Sequence, residues 1–174
     1  MINQRFAHNL KERGLSILCV LMVLMLGACQ PKETDLSFET IERQEISGYQ
    51  DKKPGLVVIA RQTEVADLDN LITREIQSRL QPLNYNTYLV IGVFQGWKPT
   101  TRYSAQIERV TRRGNIVTIY ALFREPQPSE AKGDEVTSPY HLIQVQKVGT
   151  WGQTITFNLV VGDAIVTSLS HYVP

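Results

Sequence analysis

Thiols and imidazoles do much of the chemistry available to side chains, and this sequence has few of either. Its 174 residues contain two cysteines, Cys19 and Cys29, and three histidines, His8, His141 and His171. A hydrolytic triad needs a serine, a histidine and an acid converging on one point. Beyond residue 29 only His141, directly after Pro139-Tyr140, and His171, near the C-terminus, could supply the base. No Gly-x-Ser-x-Gly, His-Glu-x-x-His, Walker loop or dinucleotide fingerprint occurs. Two distant histidines without a thiolate make a poor metal site, and no acid pair has a spacing that points to glycoside hydrolysis. The expectation is a protein that is not an enzyme and that uses neither cofactor nor metal.

Cys29 suggests a different chemistry, because of what precedes it. Arg5, Lys11 and Arg13 stand against one acid, Glu12, and Leu15 to Leu26 form an uncharged apolar run ending in Gly27-Ala28-Cys29. A basic stretch, a short apolar core and small residues before a cut site describe a secretory signal. The run is shorter than the ~20 residues needed to span a bilayer. Leu26-Gly27-Ala28-Cys29 resembles the bacterial lipobox, in which the cysteine thiol is acylated and the chain is cut on its N-terminal side. That implies cleavage between Ala28 and Cys29, and palmitate-type acyl chains on Cys29 holding the protein stably at a membrane. The alternatives are an uncleaved anchor helix, or secretion with Cys29 coincidental. Gln30, rather than Asp, follows the cysteine, which resembles an outer-membrane rather than an inner-membrane destination. The expected location is therefore the extracytoplasmic face of the cell membrane or the outer membrane.

Charge excludes other classes. The whole chain carries 18 Lys+Arg and 17 Asp+Glu, for a net charge of +1. Removing Arg5, Lys11, Arg13 and Glu12 with the signal leaves 15 against 16. Neither balance suits a nucleic-acid binder, and a polybasic patch is not the membrane anchor. Arg109, Arg112, Arg113 and Arg124 cluster locally and read as a solvated strand face, or as a contact for an acidic or polysaccharide partner.

The elements that would position such residues are mostly strands. Residues 1–28 read as signal peptide, 29–36 as lipidated cysteine and tether, and 37–174 as one β-rich domain. Ser37–Ile46 suggests an edge strand, and Leu56–Ala60 a strand buried on both faces. Val65, Leu68, Ile72, Ile76 and Leu80 step by threes and fours, which predicts a helix with Thr63 as N-cap and Pro82 as stop. Further strands are expected over Thr87–Gln95, Tyr103–Thr111, Ile116–Arg124, Tyr140–Val148, Thr154–Val161 and Ala164–Leu169. Arg113-Gly114-Asn115 and Gly162-Asp163 supply hairpin turns. The fold class is α+β: a curled, mainly antiparallel β-sheet with one main amphipathic helix.

One stretch carries a family resemblance. Gly96-Trp97-Lys98-Pro99-Thr100-Thr101-Arg102-Tyr103-Ser104 lies between two strands. Arg124-Glu125-Pro126-Gln127-Pro128 follows, and then Val136-Thr137-Ser138-Pro139-Tyr140-His141-Leu142-Ile143. Across residues 56–148 this resembles the PrcB C-terminal domain family, named for a lipoprotein component of a bacterial surface protease complex. The family pattern has glycines where this sequence has Thr101-Arg102, so a turn of another shape is expected here. The resemblance implies a lipid-anchored subunit without catalytic residues of its own that has a protein partner and is associated with or supports a secreted or surface protease. It does not by itself make that protease the partner.

Read as residues, the same stretch gives candidate contacts: Trp97, Lys98, Arg102, Tyr103, Pro126, Pro128 and Tyr140. Trp97, on a loop between Gly96 and Lys98-Pro99, is either a contact residue or simply buried. Tyr103 and Tyr140 are either packing residues or exposed anchors. Pro126-Gln127-Pro128 is either a stiff solvated loop or a recognition loop. An envelope polysaccharide or small-ligand module and a protease inhibitor stand as alternative functions.

Overall fold

A computed structural model of the chain describes residues 31–127 and 135–174. The signal segment, the Ala28–Cys29 cleavage and lipidation site, and Pro128 lie outside those residues. Glu33–Pro174 make up one unit. Among the described residues no helix is long and apolar enough to cross a membrane.

The strands are β1 (Thr34–Asp35), β2 (Phe38–Gln44), β3 (Gly55–Ile59), β4 (Tyr88–Phe94), β5 (Ser104–Arg113), β6 (Ile116–Arg124), β7 (Tyr140–Gln146), β8 (Gln153–Val161) and β9 (Ala164–Val173). They form two sheets, with strand orders β1-β5-β6-β8-β9 and β2-β7-β4-β3. Every neighbouring pair is antiparallel except β6 and β8, which run parallel. The parallel pair arises because β7 leaves for the other sheet, so β8 returns beside β6 after a crossover rather than a hairpin. The mainly antiparallel expectation holds, but the single curled sheet is corrected to two separate sheets.

The sheets pack face to face, and a helical layer covers the far side of the four-stranded one. Side-chain alternation explains both cores. Leu89, Ile91 and Val93 of β4 join Ile143, Val145, Ile107, Ile119, Phe157 and Leu159 between the sheets. Val90 and Phe94 face the other way, onto Val65, Leu68, Ile76 and Leu80. Central β4 is thus apolar almost throughout because both of its faces are covered.

The expected single helix is divided. Gln62–Leu68 is a 3₁₀ segment and α1 spans Arg74–Leu80. Asn70 sits at φ 66 between them, the left-handed region that asparagine tolerates better than most residues. Leu71 O accepts from Gly48 N–H at 2.9 Å instead of continuing a helix. Thr73, not Thr63, caps α1, its hydroxyl accepting from Ile76 N–H. Glu64 caps the earlier piece, accepting from Ala60 N–H at 2.7 Å and Arg61 N–H at 3.2 Å. The apolar stripe survives the break because both pieces bury the same side against one sheet.

Residues 34–36, expected to lie in a tether, belong to the fold. Thr34 and Asp35 pair with Arg112 and Thr111 of β5. Leu36 is buried and donates its N–H to Val110 O at 2.8 Å.

Candidate functional site

At one end of the sandwich three chain segments are laced together by backbone hydrogen bonds. β4 runs out through Gln95, whose N–H donates to Pro139 O at 2.8 Å. Gly96 follows at φ +89, where a Cβ would lie 2.6 Å from Lys52 O and 2.9 Å from Lys53 O. Only glycine fits that close approach. Trp97 N–H then donates to Asp51 O at 2.8 Å, while Lys98 and Thr137 exchange N–H···O bonds of 2.8 and 3.0 Å. The Thr137 hydroxyl donates to Thr100 O at 2.8 Å. On the third segment, Ser138 N–H donates to Glu45 O at 3.0 Å and its hydroxyl to Tyr49 O at 2.7 Å. Ser47 Oγ lies 2.8 Å from Ser138 O and 3.0 Å from Ser138 Oγ. Residues 45–53, 95–102 and 136–140 thus form one platform held by main-chain geometry.

Two clefts open along it. One, of about 380 Å³, is lined by Ser47, Tyr49, Gln50, Trp97, Val136 and Thr137 among others. The other, of about 490 Å³, is lined by Arg43, Gln44, Glu45, Ile46 and Ser104. Ile46, Val136 and Trp97 are respectively 61%, 48% and 36% exposed. Large apolar side chains on a hydrogen-bonded rim are the usual make-up of a protein contact surface.

The structure places the sequence-derived candidates unequally. Trp97 is exposed on the platform, with Lys52 Nζ 5.5 Å from its ring centroid. Lys98 Nζ lies 5.4 Å from the ring centroid of half-buried Tyr103, so these two sit together. Arg102 is exposed and adopts φ 72. That is a left-handed conformation which glycine adopts freely and arginine rarely. The Arg102 N–H points to Glu45 Oε2 at 3.5 Å. Pro126 is half-buried beyond β6.

Of the two readings of Tyr140, packing residue and exposed anchor, its burial supports packing. It is 1% exposed, its ring lies 5.7 Å from Phe94, and Phe94 lies 5.0 Å from Tyr49, both pairs stacked. Burial pushes the Tyr140 phenol up to about 12. Tyr140 therefore backs the cleft wall through Phe94 and Tyr49 without reaching its surface. Of the expected basic face, Arg109, Arg113 and Arg124 are exposed, Arg109 over Tyr120 at 4.0 Å, whereas Arg112 is half-buried over Trp151 at 3.9 Å.

Sequence reasoning missed Ser47, Tyr49, Ile46 and Ser138. Residues 48–55 read as a turn-rich connection. The available signal was a long unpatterned segment between two strands of a compact domain, which is a common setting for binding loops.

Both histidines are committed elsewhere. His141 Nδ1 accepts from Ile107 N–H at 2.8 Å, so Nε2 carries the proton and donates to Thr40 Oγ1 at 2.9 Å. His171 Nε2 lies 3.0 Å from Glu64 Oε2. Neither imidazole is hydrogen-bonded to Ser47 or Ser138, whose hydroxyls serve backbone and each other. Among the described residues no group of three or more His, Cys, Asp or Glu side chains is placed to hold a metal ion.

The family model described as PrcB C-terminal covers residues 89–146. It spans β4 to β7 and contains the Trp97 turn and the Thr137–Tyr140 segment, but begins after β3, so it is narrower than the stretch the sequence suggested. No curated protein and no solved structure matches the chain.

Proposed function

We propose that this protein is a lipid-anchored, non-catalytic accessory subunit on the extracytoplasmic side of a bacterial membrane. It binds a protein partner through the Trp97 platform and supports a secreted or surface protease. Acylated Cys29, at the end of the Leu26-Gly27-Ala28-Cys29 signal, keeps the domain at the cell membrane or outer membrane.

The observation that carries the partner reading is Trp97. A large aromatic side chain, 36% exposed, is held on a backbone lattice, between the tight Gly96 turn that only glycine fits and Arg102 in a strained left-handed conformation. Strain of this kind persists where the surrounding structure enforces it, and it concentrates at functional surfaces. The PrcB C-terminal match over the same residues supports a protease-complex subunit as the class of protein.

Co-purification from detergent-solubilised envelopes after mild crosslinking tests the reading. A stoichiometric protein partner is expected, and recovery of the chain alone would contradict it. Incorporation of labelled palmitate, abolished by Cys29→Ser, tests the anchor separately.

A further inference from the structure

The two ends of the sandwich carry different chemistry. β5 starts at Ser104, beside the platform, and reaches Arg112, which pairs with Thr34 where the chain enters the fold. At ~3.3 Å per strand residue these points are about 25 Å apart. Strand register puts the 113–115 turn, the 147–152 loop and the end of β9 at the entry end. The β8–β9 turn lies at the platform end.

Arg112 organises the entry end. Its guanidinium lies 3.9 Å from the Trp151 ring centroid. It donates to Gly114 O at 2.9 Å, Thr150 O at 2.6 Å and Val148 O at 3.4 Å. Lys147, on the same loop, places its ammonium on Tyr85 O at 2.7 Å and Pro174 O at 3.1 Å. The Arg112 partners are all carbonyls, so that cation is held in place without being neutralised by them, whereas Lys147 bonds one carbonyl and an oxygen of the terminal residue. Val148 and Ile116 project beside them, 51% and 40% exposed. Glu33 and Asp35 are the acids on the entering chain.

We propose that this end is a bilayer-contact surface, with Trp151, Val148 and Ile116 at headgroup level and Arg112 and Lys147 among anionic headgroups. The Trp97 platform then faces away from the membrane. The inference rests on the lipid-anchor reading, because the chain from Cys29 to Thr34 can extend at most ~18 Å. Acyl chains on Cys29 keep the entry end within that distance of the lipid. Tryptophan, aliphatic side chains and long cationic stems are the residues that suit the headgroup zone. A few cations there orient a protein already anchored by lipid rather than anchor it themselves.

The chain's two tryptophans lie at opposite ends and serve as probes. The lipidated full-length protein is reconstituted into phosphatidylcholine/phosphatidylglycerol vesicles containing a headgroup-nitroxide lipid. Trp97→Phe, a change at an exposed ring, leaves Trp151 as the sole emitter. The unchanged protein reports both tryptophans. Trp97→Phe should be quenched severalfold more strongly than the residual, Trp97-derived emission of the unchanged protein, and Val148→Glu should weaken that quenching. Protein that floats with the vesicles while Trp151 stays unquenched overturns the orientation but leaves the anchor intact. Protein that fails to float overturns the anchor and the orientation together.

Discussion

His141 of β7 accepts the Ile107 amide of β5 at 2.8 Å and so joins the two sheets through one imidazole. The β5–β6 register shifts between Ile107 and Arg109, which turns the Ile107 N–H out of the ladder and toward the ring. Thr40 of β2, also beside a register shift, holds the opposite nitrogen at 2.9 Å. A histidine that could have been a catalytic base is instead a neutral structural clip.

Stability should therefore fall in mild acid. Burial, reinforced by Arg43, lowers the His141 pKa from 6.5 to about 4. The neutral form is favoured in the fold, so between these values the unfolded chain binds the extra proton. The contribution is fully present above pH 6.5 and is lost as pH falls toward about 4. A shift of this size corresponds to on the order of 3 kcal/mol. Urea unfolding at pH 7 and pH 4.5 should show the loss, and His141→Asn should lower stability at pH 7 while flattening the difference. An equally steep dependence in the variant would refute the assignment.

Gly96→Ala should be much more damaging than Gly162→Ala. Both positions have positive φ, but a Cβ at 96 meets Lys52 O and Lys53 O, whereas at 162 nothing lies within 4 Å. The expected losses are about 3 kcal/mol or more at 96 and about 1 kcal/mol at 162. Thermal denaturation of the two variants separates the contact from the backbone strain, and equal losses would mean that the close approach does not matter.

The break between the helical pieces predicts a reversal of capping roles. Thr73→Ala should cost about 1 kcal/mol and Thr63→Ala less than about 0.5 kcal/mol. Chemical denaturation of both variants checks this, and a larger effect at Thr63 would restore a continuous helix.

Arg112→Ala removes a cation–π contact and three bonds to carbonyls. A loss of about 2 kcal/mol is expected. Faster amide exchange should follow around Gly152, whose N–H donates to Val173 O. An unchanged exchange pattern would show that the 147–152 loop does not depend on the clamp.

Much of the strand layout was legible because alternation and turn chemistry are local. β6 matches its expected bounds, and β4, β5, β7 and β8 lie within two residues of theirs. The helical stripe was legible as burial but not as conformation, since apolar spacing reports which side packs and Asn70 broke the helix without disturbing that side. Sheet membership was not legible. Nothing near β7 or β8 says that one crosses to the other sheet, and the parallel β6–β8 pair follows from that crossing. At the platform, Gly96 and Trp97 stood out by residue type. Ser47, Tyr49 and Ser138 did not, because their part depends on hydrogen bonds between segments some ninety residues apart. Tyr140 stayed open between packing and anchoring, since an aromatic at a strand start suits a rim or a core, and its burial favours the core.

The most direct measurement of the central claim is site-specific photo-crosslinking in cells that make the full chain. A photoreactive residue at Gln50, exposed in the Trp97 cleft, should yield one dominant protein adduct, lost when Trp97→Ala is added. The same residue at Ser168, exposed on β9, should yield none. Adducts of equal yield at both positions, or no adduct at Gln50, would contradict the account.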